Sequence, residues 1–424
     1  MSVTWIFIIW ILLLLLSVPV GFSLIAVAFL YFIMGDWALV FPSGQRLISG
    51  IDSFALLAVP FFILTGSLMN SSGITDRIFT FAKTLVGHLT GGMGHVNIMA
   101  SLMFSGMSGS ALADAGGLGQ LEIRTMRKAG YDDDYNGGLT AASAIIGPLV
   151  PPSIPMIIYA IISGSSIAKM FLAGIIPGII TAFSLMTVAY FLAKKRGYPR
   201  LPKATAKECA TSFWKAFWAL LTPFIIIGGI FSGKFTPTEA AVITTLYAMI
   251  LGFFVYRELT FKKLFENVVY SFKLTGVVVL MIMGVEFLGQ MIARERIPTK
   301  VADFFIAVTD NQILLLFMIV LLLIVLGTFI ESLALLVLLV PILVPVVVNA
   351  GIDPIFFGIL TILTLMIGIL TPPMGMALFV VARTGDIPVG TIIKGVIPFL
   401  IPLFATLILL ILFPQIVLFL PSLF

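Results

Sequence analysis

The chain has 424 residues, 60% of them hydrophobic and only 10% charged, whereas a soluble domain carries about 25% charged residues. That balance excludes a water-facing fold and leaves a membrane-embedded protein. The formal charge of +5 lies on lysines and arginines in short loops, where it reads as a topology signal and not as a nucleic-acid footprint.

A helix needs about 20 apolar residues to cross the hydrocarbon core, and the chain offers about ten such stretches. They run continuously without the alternation of barrel strands, so the spanning element is the helix. Residues 5–16 look like a signal-peptide core. They lack a basic leader and a small-residue cleavage site, so they read as a retained first helix, extending over 5–34 with a bend at 18–21. A polar arm over 36–51 precedes apolar stretches at 53–70 and 76–88. The segment GHLTGGMGH (87–95) holds both histidines, His88 and His95, at a spacing that suits a loop or interface and no metal. Residues 93–128 hold two short apolar pieces around FSGMSGSALADAGG, each too short to cross, which predicts a re-entrant hairpin. Apolar stretches follow at 135–163, broken at 147–152, and at 169–193.

Residues 194–212 form the most polar loop, with Lys194, Lys195, Arg196, Arg200, Lys203 and Lys207. The single cysteine, Cys209, lies here and excludes an intramolecular disulfide. Beyond it come 213–231, 238–256, a basic turn with Arg257, Lys262 and Lys263, then 268–291 and a short piece at 298–309. A second hairpin over 312–348 meets at GTFIES, and a second broken stretch covers 354–382, interrupted at 368–373, before 388–420. The positive-inside rule puts the 194–207 loop, the 257–263 turn and Arg124, Arg127 and Lys128 on the cytoplasmic side.

The halves repeat. Residues 129–180 align without a gap on 350–401, pairing Gly137 with Gly358, Thr140 with Thr361, Gly147 with Gly368, Pro151-Pro152 with Pro372-Pro373, Gly174 with Gly395 and Pro177 with Pro398. Matching Gly/Pro interruptions in two membrane units point to a transporter site. Proline removes a backbone donor and blocks the preceding turn, so two in a row unwind the helix. The carbonyls set free at membrane depth need a partner, and a cation supplies one. The half-helix after the break turns its positive end inward, which suits an anion.

At the first tip, Ser105, Ser108 and Ser110 alternate with Gly106 and Gly109. Their hydroxyls and exposed backbone suit ion or substrate contact, and equally close helix packing. At the second tip stand Gly327, Thr328, Glu331 and Ser332. Asp114 and Glu331 are ionisable groups in apolar surroundings, either functional or at the lipid interface. Arg383 either meets a carboxylate or snorkels. Asp132, Asp133 and Asp134 read as a helix-start cluster.

The motifs LLAVPFFILTGSLMNSSGI (56–74), SGSALAD (108–114), GPLVPPSIPMIIY (147–159), FLAGIIPGI (171–179), FTPTEAA (235–241) and GILTPPMGMALFV (368–380) resemble the large membrane subunit, DctM-type, of tripartite ATP-independent periplasmic (TRAP) transporters. The resemblance covers essentially the whole chain. It implies an all-α integral membrane protein of two inverted repeats, 1–193 and 213–424, with re-entrant hairpins and broken helices. It further implies an elevator-type transporter of the ion-transporter-superfamily kind in the bacterial inner membrane. The function implied is Na⁺-coupled uptake of an organic acid, with no enzymatic activity. The partners implied are a small four-helix membrane subunit, expected as a separate chain because no four-helix segment precedes Met1, and a periplasmic substrate-binding protein. By motif match, one Na⁺ site carries to Ser105, Ser108, Gly147, Val150 and Pro152, and a second to Gly327, Gly368, Thr371 and Met374. Substrate carries to Ser108, Gly109, Ser110, Glu331 and Ser332. The rivals are a stand-alone Na⁺/carboxylate or anion symporter, an intramembrane enzyme, for which no metal or nucleophile cluster is evident, and a scaffold, which has no use for unwound helices. No nucleotide motif supports direct ATP drive.

Overall fold

The structure, a computed structural model, describes residues 3–35, 40–49, 51–309 and 311–424. The described residues are helical with no strand. The N-terminal region forms two helices, α1 (Val3–Leu15) and α2 (Val20–Gly35), where the sequence suggested one bent helix. Ser17 lies in the left-handed region with φ 62° and Pro19 follows, so the chain turns there instead of continuing. α3 (Val40–Ser49) lies within the polar arm, and α4 (Ala58–Ser71) follows. The stretch read as apolar at 76–88 is α5 (Ile74–Val86), only 13 residues long. It is amphipathic, burying Ile74, Ile78, Phe79 and Ala82 while Asp76, Thr80 and Lys83 point outward.

The first hairpin comprises α6 (Gly92–Ser108), α7 (Ala111–Gly116) and α8 (Leu118–Lys128). The first broken helix is α9 (Asp133–Ala144) plus α10 (Ile154–Ser163), its halves bent by 43°. α11 (Ile167–Arg196) and α12 (Ala206–Phe231) trim the expected polar loop of 194–212 to 197–205. Thr205 and Glu208 form a capping box that starts α12 earlier than hydrophobicity alone suggested: the Thr205 hydroxyl accepts from Glu208 N at 3.2 Å, and the Glu208 carboxylate accepts from Thr205 N at 2.7 Å. α13 (Pro237–Ile250) is capped the same way by Thr236 and Glu239. The second half continues with α14 (Phe261–Arg294), α15 (Ile297–Val308), the hairpin α16 (Gln312–Gly327) and α17 (Ser332–Asn349), the broken pair α18 (Pro354–Gly368) and α19 (Met376–Gly385), α20 (Val389–Leu412) and α21 (Gln415–Leu418).

By length and composition, seven described helices are able to cross a membrane, or up to eight with the α9–α10 pair counted as one span. That is fewer than the apolar stretches suggested, because α1, α2, α16, α18 and α19 are too short to cross alone, whereas the hairpin arm α17 is among the seven.

α9 and α18, the half-helices before the breaks, are the innermost elements. Every residue from Tyr135 to Ala144 and from Phe356 to Gly368 is buried. α9 gains that place through glycine. A Cβ on Gly138 would run into the backbone of Gly395 on α20, and one on Gly137 would sit 2.7 Å from Ile392. Small residues thus let α9 and α20 cross backbone to backbone, where lipid offers no competing apolar drive. The start of α9 is held by Arg196, whose guanidinium grips the Asp134 carboxylate through two 2.7 Å hydrogen bonds and also reaches Asp132. Asp132 and Asp134 thus tie the helix start to α11, while Asp133 pairs with Arg127 of α8 at 2.8 Å. In the same corner Tyr198 donates to Asp132 at 2.6 Å, and burial together with that hydrogen bond pushes its phenol up to about 12. A second body of helices, α2, α4, α5, α12, α13 and α14, packs against the first hairpin chiefly through α5 on α6, with α4 and α12 beside it, and against the second through α14 on α17.

Candidate functional site

The first tip turns at Gly109, which ends α6 with φ 61° and lies so close to the break that a Cβ there would meet the Pro152 carbonyl oxygen at 2.6 Å. Ser110 then caps α7, its hydroxyl accepting from Ala113 N at 3.4 Å. The first break runs through a short 3₁₀ turn at Gly147–Leu149, an extended Val150 and the cis Pro151-Pro152 bond. Ser153 restarts the helix: its hydroxyl donates back to the Pro148 carbonyl at 2.6 Å and accepts from Met156 N at 3.3 Å.

The second tip and break follow the same plan with different residues. α16 ends at Gly327 against Gly368, the last residue of α18, and a Cβ on Gly368 would lie 2.9 Å from Gly327 Cα. Glu331 caps α17 by accepting from Ala334 N at 2.9 Å, and the Ser332 hydroxyl donates to Glu331 at 3.3 Å. The second cis bond is Pro372-Pro373. In each half the tip lends a carbonyl to the residue that restarts the chain after the break. Ile154 N donates to Gly109 O, and Gly375 N donates to Thr328 O, both at 3.3 Å. Ile154 and Gly375 are aligned positions of the two halves.

Between the tips lies a cavity of about 350 Å³ whose wall includes Ser110, Ile154, Glu331, Ser332 and Ile369, closed on the far side by Ile63 of α4 and Tyr270 of α14. An adjoining cavity of about 380 Å³ shares Ser110 and Ile154 and adds Ser67 and Asn70 of α4. Each is large enough for a small metabolite. Among the described residues their linings contain no lysine, arginine or histidine, and the first N–H groups of α10 and α17 are already engaged, Ile154 N by Gly109 O, Met156 N by the Ser153 hydroxyl and Ala334 N by Glu331, so a ligand here meets the side chains of Ser110, Ser332, Asn70 and Glu331.

The structure thus gathers Gly109, Ser110, Glu331 and Ser332 around one space. Ser105 is buried beneath the first tip, its hydroxyl donating to Leu102 O at 2.6 Å and keeping its lone pairs for another partner. Gly147, Val150 and Pro152 form the first break. The side chain of Ser108 lies outside the described residues. Gly327 and Gly368 touch. Thr371 donates to Ile367 O at 2.8 Å, whereas Met374 is 52% exposed. Among the described residues no three His, Cys, Asp or Glu side chains converge, so a cation at either break would rest mainly on hydroxyl and carbonyl oxygens, with the Asp114 carboxylate beside the first break, an all-oxygen donor set that suits a hard cation. Arg383 is exposed at the end of α19.

Asp114 is buried beside the break: a Cβ on Gly147 would meet its carboxylate at 2.5 Å. Behind it lies a polar cluster that sequence reasoning missed. Asn97 donates to Glu122 and to Thr140, both at 2.9 Å, and accepts from Ser143 at 2.6 Å, all four residues being buried. The cluster ties α6, α8 and α9 together behind the first break. Glu122 shares a short helix with Arg124, Arg127 and Lys128, and in sequence looks like part of a solvated end. The available signal was Asn97, a lone amide inside an apolar piece.

The comparisons with known proteins agree with this architecture. Residues 7–416 match the family described as "Tripartite ATP-independent periplasmic transporter, DctM component". The sialic acid TRAP transporter large permease protein SiaM of Vibrio cholerae is 60% identical over 98% of this chain and 97% of its own length. The sialic acid TRAP transporter permease protein SiaT of Haemophilus influenzae is 60% identical over 98% of this chain and 67% of its own length. The 2,3-diketo-L-gulonate TRAP transporter large permease protein YiaN of Escherichia coli is 38% identical over 88% of each chain. Among solved structures, the Alcanivorax borkumensis YdaH transporter superposes with a TM-score of 0.62 over 86% of each chain at 15% identity, a likeness of fold alone. The chain is therefore a multi-pass membrane permease, not an enzyme, and belongs to the DctM family of large TRAP transporter subunits.

Proposed function

We propose that this subunit carries out Na⁺-coupled uptake of a carboxylated sugar across the bacterial inner membrane, with sialic acid the first candidate. A periplasmic binding protein delivers the substrate, and a small four-helix membrane subunit completes the complex. The observation that carries this reading is the cavity bounded by both hairpin tips, the first helix restart and the end of the half-helix before the second break, through Ser110, Ile154, Glu331, Ser332 and Ile369. Na⁺ would be held at the first break by Ser105, Ser108, Gly147, Val150 and Pro152, and at the second by Gly327, Gly368, Thr371 and Met374. Each ion offsets carbonyl dipoles that would otherwise repel one another, and it stiffens the tip that lines the substrate cavity. Coupling is then a difference in substrate affinity between ion-bound and ion-free states.

The substrate carboxylate fits the Asn70 amide and the Ser110 hydroxyl, and the sugar hydroxyls fit Glu331, Ser332 and the wall toward Ser67. The two halves act as inverted repeats, and the hairpin-bearing helices slide as one elevator body against α4 and α14. Sialic acid is favoured over a C4-dicarboxylate by the 60% identity to two sialic acid permeases, and by a cavity with acceptor groups but no cationic side chain in its lining.

The test is uptake into proteoliposomes holding this chain and its small subunit, with sialic acid, 2,3-diketo-L-gulonate and a C4-dicarboxylate offered in turn. Sialic acid accumulation that needs both a Na⁺ gradient and the binding protein is expected. Uptake unchanged when K⁺ replaces Na⁺ refutes the ion assignment. Uptake without the soluble protein replaces the tripartite reading with a stand-alone symporter.

A further inference from the structure

A second built pocket lies away from the transport cavity, where α5 leans on the first turns of α12. It measures about 530 Å³, and four of its lining residues are lysines: Lys83 from α5, Lys203 from the preceding loop, and Lys207 and Lys215 from α12. None of the four forms an ion pair among the described residues. The pocket's one acidic residue, Glu208, is already engaged, accepting from the Thr205 amide at 2.7 Å and the Thr205 hydroxyl at 2.9 Å in the cap of α12. Thr80 and Thr211 line the space between the lysines, their hydroxyls already donating to Asp76 O at 2.7 Å and Lys207 O at 2.8 Å, so the donors left for a ligand are the lysines. The walls are fixed relative to each other, because Thr84 and Ser212 share a 2.9 Å hydrogen bond and the rings of Phe81 and Phe213 meet 5.6 Å apart. Four like charges held around one space on a tied helix pair repel one another unless an anion fills it.

The same helix says what kind of anion. Lys207, Thr211, Trp214 and Trp218 fall at i, i+4, i+7 and i+11, one stripe of α12. From Lys207 to Trp218 the stripe descends about 16 Å, the depth from headgroup to upper acyl chain. Trp214 and Trp218 are 62% and 46% exposed, with Phe217 packed between them at 5.2 and 5.4 Å, an interfacial aromatic belt that begins level with Lys215 and about 10 Å below Lys207. α12 is also the least enclosed of the seven candidate spans, with 28% of its apolar window buried. A soluble phosphate uses only the upper half of this arrangement, whereas a phospholipid uses both.

We propose that the α5–α12 pocket binds the headgroup of an acidic phospholipid, whose acyl chains lie on Trp214 and Trp218. The site holds the amphipathic α5 at the membrane surface and so anchors the body of helices against which the hairpins would move.

The experiment uses the complex of this chain with its small membrane subunit, purified in detergent, and native mass spectrometry. Phosphatidylglycerol, phosphatidylcholine and glycerol 3-phosphate are titrated in parallel. The pocket variant carries Lys83→Gln, Lys207→Gln and Lys215→Gln. The control carries Lys234→Gln, Lys262→Gln and Lys273→Gln, three exposed lysines elsewhere, so that net charge falls equally. Phosphatidylglycerol should bind the wild-type complex and the control alike, and bind the pocket variant on the order of 100-fold more weakly. Phosphatidylcholine should show no such difference. Equal losses in pocket variant and control overturn the site. Glycerol 3-phosphate binding as tightly as the lipid overturns the lipid assignment in favour of a free-anion site, and no preference of the wild-type complex for phosphatidylglycerol, as when the small subunit covers this face, overturns it as well. Circular dichroism and melting in phosphatidylcholine nanodiscs establish that each variant is folded before binding is compared.

Discussion

Replacing Gly109 with alanine tests the closest contact between a hairpin tip and a helix break. Gly109 has φ 61°, a conformation that costs a residue with a Cβ about 1–2 kcal/mol. The added methyl would also lie 2.6 Å from the Pro152 carbonyl oxygen and 3.2 Å from Ile154 N and Ser153 Cα. These are backbone atoms, unable to swing aside as a side chain would, so relief requires the tip to back away from the break. Overpacking of this kind costs about 1–3 kcal/mol. Backing away also stretches the 3.3 Å hydrogen bond from Ile154 N to Gly109 O. Both terms have the same sign, and together they amount to about 2–5 kcal/mol. Gly164→Ala separates them, because Gly164 has φ 69° with nothing within 4 Å of an added Cβ and so pays the conformational term alone. The assay is thermal unfolding in detergent paired with Na⁺-driven uptake in proteoliposomes. Gly109→Ala should melt well below Gly164→Ala and lose uptake, while Gly164→Ala keeps it. Equal melting of the two variants with full uptake in both would refute the close approach of tip and break.

Three further outcomes follow from the same geometry. Gly368→Ala should destabilise by about 1–3 kcal/mol less the helix-propensity gain of about 1, because its Cβ presses on Gly327 at 2.9 Å. Gly276→Ala, in open space on α14, should be neutral or stabilising, and a higher melting temperature for Gly368→Ala than for Gly276→Ala contradicts the contact. Asn97→Leu should cost about 1–3 kcal/mol for each buried group it strands, Glu122 and Ser143 foremost, and an unchanged melting temperature would argue against the buried cluster. Tyr198, whose phenol is raised to about 12, contributes stability that is complete below the unfolded value near 10 and is lost as pH rises from there through 12. Tyr198→Phe should therefore flatten the alkaline limb of a pH–melting profile without altering it between pH 6 and 9, and a profile identical to wild type would remove Tyr198 from that role.

What could be read from the sequence was local or periodic. Apolar runs announce helices because lipid forces backbone groups to pair within the segment. Pro151-Pro152 and Pro372-Pro373 announce the breaks because proline cannot donate, and the Gly/Ser tip at 104–117 announces a turn because no apolar arm beside it is long enough to cross. The early start of α12 was legible too, in the Thr205 and Glu208 pair, but hydrophobicity begins later than the cap does.

Other features needed the folded chain. Nothing in the sequence pairs Gly138 with Gly395, and only the family resemblance put Gly327 and Gly368 in one site, since close approach is a property of two helices and glycine is silent about which partner it admits. Glu122 looks solvated beside three cationic neighbours, and only the packing of α6 and α9 over one face of α8 buries it against Asn97. The cavity itself belongs to segments distant in sequence, the two tips, the first restart, the end of α18, and α4 and α14. Local chemistry determined where each helix stops. Only tertiary packing, through side chains and carbonyls that meet across the two halves, decided that those stops surround one space.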